Sequence, residues 1–140
     1  MASVPKGVRL TCIMDCSHSG NIHIRYQYTS NLVMSEYNNY KPVVGDIVLL
    51  SACTHEQTAS DSCFTGKWVK TPRLHFVWGE GNGAFTWYLL KALKTCGFTV
   101  SIADLIKGTQ SLLIKNKFTQ TPKITCSKPE LVNSRFLTKS

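Results

Sequence analysis

Asp15-Cys16-Ser17-His18-Ser19-Gly20 closes the apolar run Val8-Arg9-Leu10-Thr11-Cys12-Ile13-Met14, and this junction carries most of the information about the fold. An apolar run that turns abruptly into small polar residues is typical of a buried strand that opens into a loop. Open α/β sheets hold their reactive side chains in such loops, at the carboxyl ends of the strands. The junction therefore predicts an α/β fold with a functional site beside residues 15–17.

The bulk composition limits the class of protein. The chain has 140 residues, of which 43% are hydrophobic and 17% are charged, as in a single globular domain. No apolar run approaches the roughly 18 residues that a membrane span needs, and the N-terminal residues lack the apolar core of a signal peptide. These features predict a cytoplasmic protein that contacts no membrane, with a nuclear location as the alternative.

The formal net charge of +8 raises the question of a polyanion-binding surface. The basic residues are spread along the chain and are densest between Lys107 and Lys123. Because no nucleic-acid-binding motif accompanies them, the sequence favours a solvated basic surface over a partner of this class. A basic polyanion-binding adaptor is therefore the weakest of the functional hypotheses.

The six cysteines are scattered and form no Cys-x-x-Cys pair. Three of them, Cys12, Cys53 and Cys126, lie in strand-like apolar contexts. In a reducing compartment this pattern predicts free, mostly buried thiols and no disulfide framework. The cysteines and histidines at 12–23 and 53–63 lack the spacing of zinc ligands, so no metal site is expected.

The order of predicted elements is that of an α/β sandwich with a mostly parallel sheet. Residues 8–14 and 43–52 are apolar and strand-like, whereas the polar, tyrosine-rich residues 21–41 favour a long surface loop. A hairpin or edge strand is compatible with residues 68–78, within a long polar segment.

The second half of the chain predicts two helices and short strands. Apolar residues recur at helical spacing in 83–94, which Gly97 ends, and in 102–115, which Ser101 caps. The segment 120–122 breaks the second helix, and further strands are predicted at 123–127 and at Phe136-Leu137.

Four segments resemble the metacaspases, the caspase-like cysteine peptidases, in the order and spacing of that family. Residues 15–20 are similar to the family's Asp-x-Cys-His-Ser-Gly motif, in which Cys is the nucleophile. Residues 41–61 resemble its second strand and its Asp-Gln-Thr-Ser-Ala-Asp loop, with Glu56 for the first Asp and Ala59-Ser60 inverted. Residues 83–86 are similar to the start of its small-subunit helix, and residues 122–127 to its terminal Pro-Gln-Leu-Ser-Ser-Ser segment.

The resemblance implies a caspase-like α/β/α sandwich, of which this chain is the C-terminal portion. Residues 1–140 then form one domain portion: 7–53 are the nucleophile strand, loop and second strand, 54–82 a long loop region, and 83–140 the small-subunit-like helices and terminal strand. The family's general base is a His in an upstream Ser-Gly-His-Gly motif, and none of the four histidines here lies in such a motif. The chain is thus expected to be a fragment, or a natural truncation whose sheet is completed by a partner or by a rearrangement.

Ser17 occupies the family's nucleophile position, and Cys16 lies one residue earlier as an alternative thiol. A Ser hydroxyl has no thiolate fraction at neutral pH and depends on a well-oriented base. Successive strand side chains point to opposite faces, so Cys16 is expected to point away from Ser17. The site is therefore expected to be catalytically impaired.

The resemblance bears on ligand binding at two positions, Asp15 and Ile24. In the family the residue equivalent to Asp15 helps to form the pocket that selects Arg or Lys, and here it has two open roles: binding a basic side chain, or capping the loop backbone. Ile24 replaces a calcium-binding Asp, and because Ile offers no oxygen ligand, neither calcium nor another cofactor is expected.

Three functional hypotheses remain. The first is a pseudopeptidase with a regulatory or binding role toward a basic peptide or protein, an active metacaspase homologue or the missing N-terminal half. The second is a cysteine endopeptidase cleaving after Arg or Lys, represented by a fragment with Cys changed to Ser at position 17. The third is the polyanion-binding adaptor.

Overall fold

The computed structural model describes residues 4–15, 24–37, 43–52 and 83–137. Within these ranges it has five strands, two α-helices and one 3₁₀ helix. The elements in chain order are β1 (Arg9–Met14), β2 (Tyr26–Thr29), β3 (Met34–Glu36), β4 (Asp46–Ser51), α1 (Ala84–Cys96), α2 (Ile102–Lys115), β5 (Lys123–Cys126) and the 3₁₀ helix (Pro129–Asn133). The long loop region predicted at 54–82, with its hairpin or edge strand at 68–78, lies outside the described residues.

The strands form one sheet in the order β1-β4-β5-β2-β3. β1 and β4 pair in parallel, with Arg9 opposite Asp46 and Met14 opposite Ser51. The pairings of β4 with β5, of β5 with β2 and of β2 with β3 are antiparallel. The α/β class is confirmed. The prediction of a mostly parallel sheet is wrong for the described part, where one strand pair is parallel and three are antiparallel.

The direction of β5 follows from the two helices that precede it. The described part of the chain enters α1 beside the carboxyl end of β1, where Asp15 hydrogen-bonds to Thr86. It returns through α2, and Gln120 then donates from Nε2 to the carbonyl of Ala52, just beyond β4, at 3.3 Å. Two successive helices bring the chain back to the edge where it began, so the next strand runs antiparallel to β4, whereas a single crossover helix gives a parallel strand.

The prediction of a long surface loop at residues 21–41 is wrong for residues 24–37, the described part of that range. β2 and β3 form a hairpin there, and β2 lies between β3 and β5. Gln27 and Tyr28 are buried, and the Tyr28 hydroxyl donates to the Pro129 carbonyl at 3.1 Å. The polar and aromatic residues of β2 are thus buried by pairing with a strand almost one hundred residues later in the chain.

Both predicted helices are confirmed with their end signals. α1 ends at Gly97, whose φ of 82° lies in the left-handed region that Gly tolerates, and whose N–H donates to the Leu93 carbonyl. α2 begins after Ser101, whose hydroxyl accepts from the Asp104 N–H at 3.1 Å. The helices pack on one face of the sheet over a shared core. Its fully buried members are Val48, Leu50, Ala52, Phe85, Ile102, Leu105, Ile106, Ile124 and Cys126.

The segment after the 3₁₀ helix ties the amino end of β1 to the start of α2. The Ser134 hydroxyl accepts from Arg9 Nη2 at 2.6 Å, and the Ser134 carbonyl accepts from the Ile102 N–H at 2.9 Å. Instead of the strand predicted at Phe136-Leu137, the structure has an isolated antiparallel bridge between Ser101 and Arg135. Two backbone hydrogen bonds form it, the one from Ile102 to Ser134 and one from Phe136 to Val100 at 2.8 Å. No helix in the described ranges is long and apolar enough to span a bilayer.

Candidate functional site

The candidate site lies at the carboxyl ends of the two parallel strands, and we call this region the carboxyl edge. The Ala52 N–H donates to the Met14 carbonyl at 2.9 Å, so β1 and β4 end side by side. The start of α1 reaches this edge through Asp15, and Gln120 reaches it through the Ala52 carbonyl. The carboxyl edge is where the sequence predicts the functional site.

Asp15 fastens the end of β1 to the first turn of α1. Its Oδ2 accepts two hydrogen bonds from Thr86, from the backbone N–H at 3.0 Å and from Oγ1 at 2.7 Å. The N-cap position of α1 is Gly83, which has no side chain to accept these bonds. A carboxylate from 71 residues earlier therefore supplies the cap, and its charge favours the positive end of the helix dipole.

Gly83 is required at this point by the close approach of Asp15. A Cβ at position 83 would overlap the Asp15 carboxylate. The φ of Gly83 is −65°, which any residue adopts, so the constraint is space and not backbone conformation. The Gly83–Thr86 segment and the carboxylate of Asp15 thus fit each other as a single unit.

The second carboxylate oxygen of Asp15 is buried and has no hydrogen-bond partner among the described residues. A carboxylate oxygen has two lone pairs, and buried ones are nearly always satisfied. The site thus offers one oxygen held by Thr86 and one that can accept a further donor. Of the two roles open for Asp15, the hydrogen bonds are those of a cap, formed on a distant helix, while binding of a basic side chain stays a prediction.

The remaining predicted site residues fall outside the described ranges. Cys16, Ser17 and all four histidines lie in the segments 16–23 and 53–82, so the nucleophile position and the alternative thiol stay predictions. Ile24 is buried against Ile47 and Leu49 on the sheet face opposite the helices. In the described ranges no three His, Cys, Asp or Glu residues are grouped to hold a metal ion.

A family model described as the caspase domain matches residues 1–132. The chain belongs to the caspase-domain family. It is 28% identical over 145 residues to a protein named inactive metacaspase-4 from Trypanosoma brucei brucei, covering 97% of this chain and 39% of the relative. It is 26% identical over 145 residues to metacaspase-3 of Trypanosoma cruzi (strain CL Brener), covering 97% of this chain and 38% of the relative.

A fungal relative extends the similarity beyond trypanosomes. Metacaspase-1B of Aspergillus fumigatus is 28% identical over 165 residues, covering 94% of this chain and 40% of the relative. The resemblance to metacaspases inferred from the four segments is confirmed. This caspase-domain chain spans about two fifths of the length of these three relatives.

Sequence reasoning missed Thr86 as a site residue of this caspase domain. The segment 83–86 was matched to the start of a helix, and nothing local shows that Thr86 meets Asp15 across 71 residues. One signal was present: a helix that begins at Gly83, without an N-cap side chain, leaves its first N–H groups in need of an acceptor from elsewhere.

Three of the six cysteines lie in the described part of this caspase domain, and all three are free thiols. Cys126 is buried under the helices, and burial raises the pKa of its thiol to about 12, so it stays protonated and unreactive at neutral pH. Cys12 is half-buried, and Cys96 at the end of α1 is exposed. The prediction of free thiols is confirmed for these three cysteines, but Cys96 is exposed where mostly buried thiols were predicted.

Proposed function

We propose that this caspase-domain chain is a metacaspase-like protein without peptidase activity of its own, which acts by binding. The observation that carries the proposal is Ser17 at the position of the family's nucleophilic Cys. Attack by a Ser hydroxyl requires a general base that removes its proton, and the family's base motif is not found in these 140 residues. The relative named inactive metacaspase-4 supports a non-catalytic role.

The proposed partner is a peptide or protein that presents an Arg or Lys side chain to Asp15, such as a metacaspase homologue. Thr86 holds Oδ2 of Asp15 in place, and the second oxygen is buried, so the groups that cover it must move aside when the ligand binds. No donor from the described residues reaches this second oxygen, and a guanidinium or ammonium group would supply a charge-assisted donor. No cofactor takes part in this binding.

The second candidate is an active cysteine endopeptidase that Ser17 alone has silenced. The match of residues 15–20 to the family motif in every specified position but that of the nucleophile favours it. Under this candidate a Cys at position 17 restores a thiolate, provided that the upstream half of a metacaspase supplies the His.

The first prediction concerns turnover of fluorogenic peptides that end in Arg or Lys, with and without calcium. We expect no turnover by the chain, because a Ser hydroxyl needs a general base and the family's base motif is not found in these 140 residues. Ser17→Ala and Cys16→Ala should give the same baseline. Turnover that either substitution abolishes would identify a working nucleophile and overturn the proposal. A chimera of a metacaspase upstream half with this chain and Ser17→Cys separates the candidates: if that chimera cleaves and its Ser17 form does not, the second candidate holds.

The second prediction concerns binding of the same peptides, measured by fluorescence anisotropy. A peptide ending in Arg should bind at least tenfold tighter than one ending in Gln, because a hydrogen bond between charged groups contributes about 1.5–3 kcal/mol. Asp15→Asn keeps an oxygen for Thr86 but removes the charge. The affinity for the Arg peptide should therefore fall to that for the Gln peptide. Equal affinity of both peptides for the unchanged chain would contradict a basic-residue site at Asp15.

A further inference from the structure

Five lysines are exposed on the outer surface of the helical layer. A single acidic residue, Asp104, accompanies them between the start of α1 and position 117. The sequence spreads these lysines over residues 91–117, and the fold gathers them on the layer that covers one face of the sheet. We call this surface the basic helical face, and its members are Lys91, Lys94, Lys107, Lys115 and Lys117.

The charges of the basic helical face are not neutralised within the described part of the chain. The ion pairs found there join Arg25 with Glu36 and Lys128 with Asp46, and neither includes a lysine of this face. Lys91 is held by aromatic rings instead, with its ammonium 5.6 Å from the centre of the Trp87 ring and 5.9 Å from that of Tyr88. A cation held over rings keeps its charge available for an anion.

The helices bring these charges close together. α1 and α2 pack side by side, with Gly108 so near Ala92 that a Cβ on Gly108 would lie 3.6 Å from the Cβ of Ala92. Lys107 and Lys115 lie on α2, and the rise of an α-helix places them about 12 Å apart along it. Packed helices are about 8–10 Å apart, so lysines on α1 and α2 lie within the reach of neighbouring phosphates on one polyanion.

Lys117 supplies a second and independent observation. It follows the C-cap Asn116 of α2 and has a φ of 64°, in the left-handed region where helices usually place Gly. A lysine there disfavours the folded state relative to Gly. The backbone at Lys117 closes the end of α2, where the N–H groups of Lys117 and Phe118 donate to the carbonyls of Ile114 and Leu113. Gly would serve this backbone at least as well, and what the lysine adds is one more exposed ammonium group at the end of the basic helical face.

We propose that the basic helical face binds the phosphate backbone of a nucleic acid without sequence preference. Lysine is a point charge on a flexible stem, suited to phosphate contacts that carry no base readout. Ile114, which is 64% exposed, is the one exposed large apolar side chain of the two helices in the described part, so the face lacks the apolar centre of a protein interface and the apolar stripe of a membrane-surface helix. This inference is independent of the proposed peptide site at Asp15.

The test is a fluorescence-anisotropy titration of the chain with a labelled single-stranded DNA 20-mer, repeated with duplex DNA, from 50 to 200 mM salt. We expect binding at 50 mM salt that weakens steeply with salt. Lys107→Gln with Lys115→Gln should weaken binding to the single strand by tenfold or more, and should lower the slope of log K against log salt by about 1.4. The control removes the same charge elsewhere, with Lys6→Gln and Lys123→Gln, which lie outside the helical layer.

The outcomes separate the face from net charge and from other partners. An equal loss in the control pair would assign the binding to overall charge and overturn the proposal. Absence of binding to either DNA at 50 mM salt, or binding of polyglutamate or anionic vesicles in preference to DNA, would overturn it too. Lys117→Gly distinguishes a binding role from a structural one. If Lys117 binds DNA, the melting temperature should stay the same or rise while the DNA affinity falls. A fall in both would show that Lys117 supports the fold instead.

Discussion

Asp15→Ala is expected to lower the free energy of unfolding by about 3 kcal/mol. The substitution removes a charged acceptor from the N–H and the hydroxyl of Thr86, at the half-buried start of α1. Loss of an N-cap side chain costs about 0.5–2 kcal/mol, and a hydrogen bond to a charged group about 1.5–3 kcal/mol. Urea denaturation followed by circular dichroism measures the change.

Two variants show whether the loss comes from the cap. Asp15→Asn retains an acceptor oxygen without the charge, so it should cost about 1 kcal/mol. Gly83→Ala places a Cβ against the carboxylate and should displace it from Thr86. Its cost should shrink in the Asp15→Ala background, because the group with which the Cβ collides is gone. Additive losses in the double variant would rule out the fit between Gly83 and Asp15.

Phe85→Ala is expected to destabilise the fold by about 4 kcal/mol. Phe85 has no exposed surface and belongs to the core between the helices and the sheet. Truncation of a buried Phe loses its transfer free energy and leaves a cavity, which together cost about 3–5 kcal/mol. The same urea titration gives the measurement.

Phe98 provides the matched control for this prediction. It is the same residue type just beyond α1, but 61% of its surface is exposed. Phe98→Ala should therefore change the free energy of unfolding by no more than about 0.5 kcal/mol. If both substitutions cost the same, the core does not lie where the structure places it.

The elements that the sequence predicted are those whose signals are local. β1 and β4 are apolar runs, and the two α-helices carry their own spacing, cap and stop residues, so short stretches specify them. The hairpin of β2 and β3 was missed, because its burial comes from β5, far along the chain. The alternation of Tyr26, Gln27 and Tyr28 was the available signal for a strand, and the polarity of the surrounding residues outweighed it.

The candidate site was predictable in place but not in its contacts. The end of an apolar strand located Asp15 at the carboxyl edge, as the structure has it. The bonds to Thr86 and the closeness of Gly83 depend on how α1 packs against the sheet, and no pattern within one segment encodes that geometry.

The strand order has a consequence for the way the chain is synthesised. β5 is synthesised after the other four described strands, yet it lies in the middle of the described sheet, with β4 on one side and β2 on the other. Until it arrives, the parallel pair of β1 with β4 and the hairpin of β2 with β3 have no described strand to join them. Among the described strands, the edges of β4 and β2 that pair with β5 therefore stay open until both helices have been synthesised, and such edges are sites of mispairing with other chains.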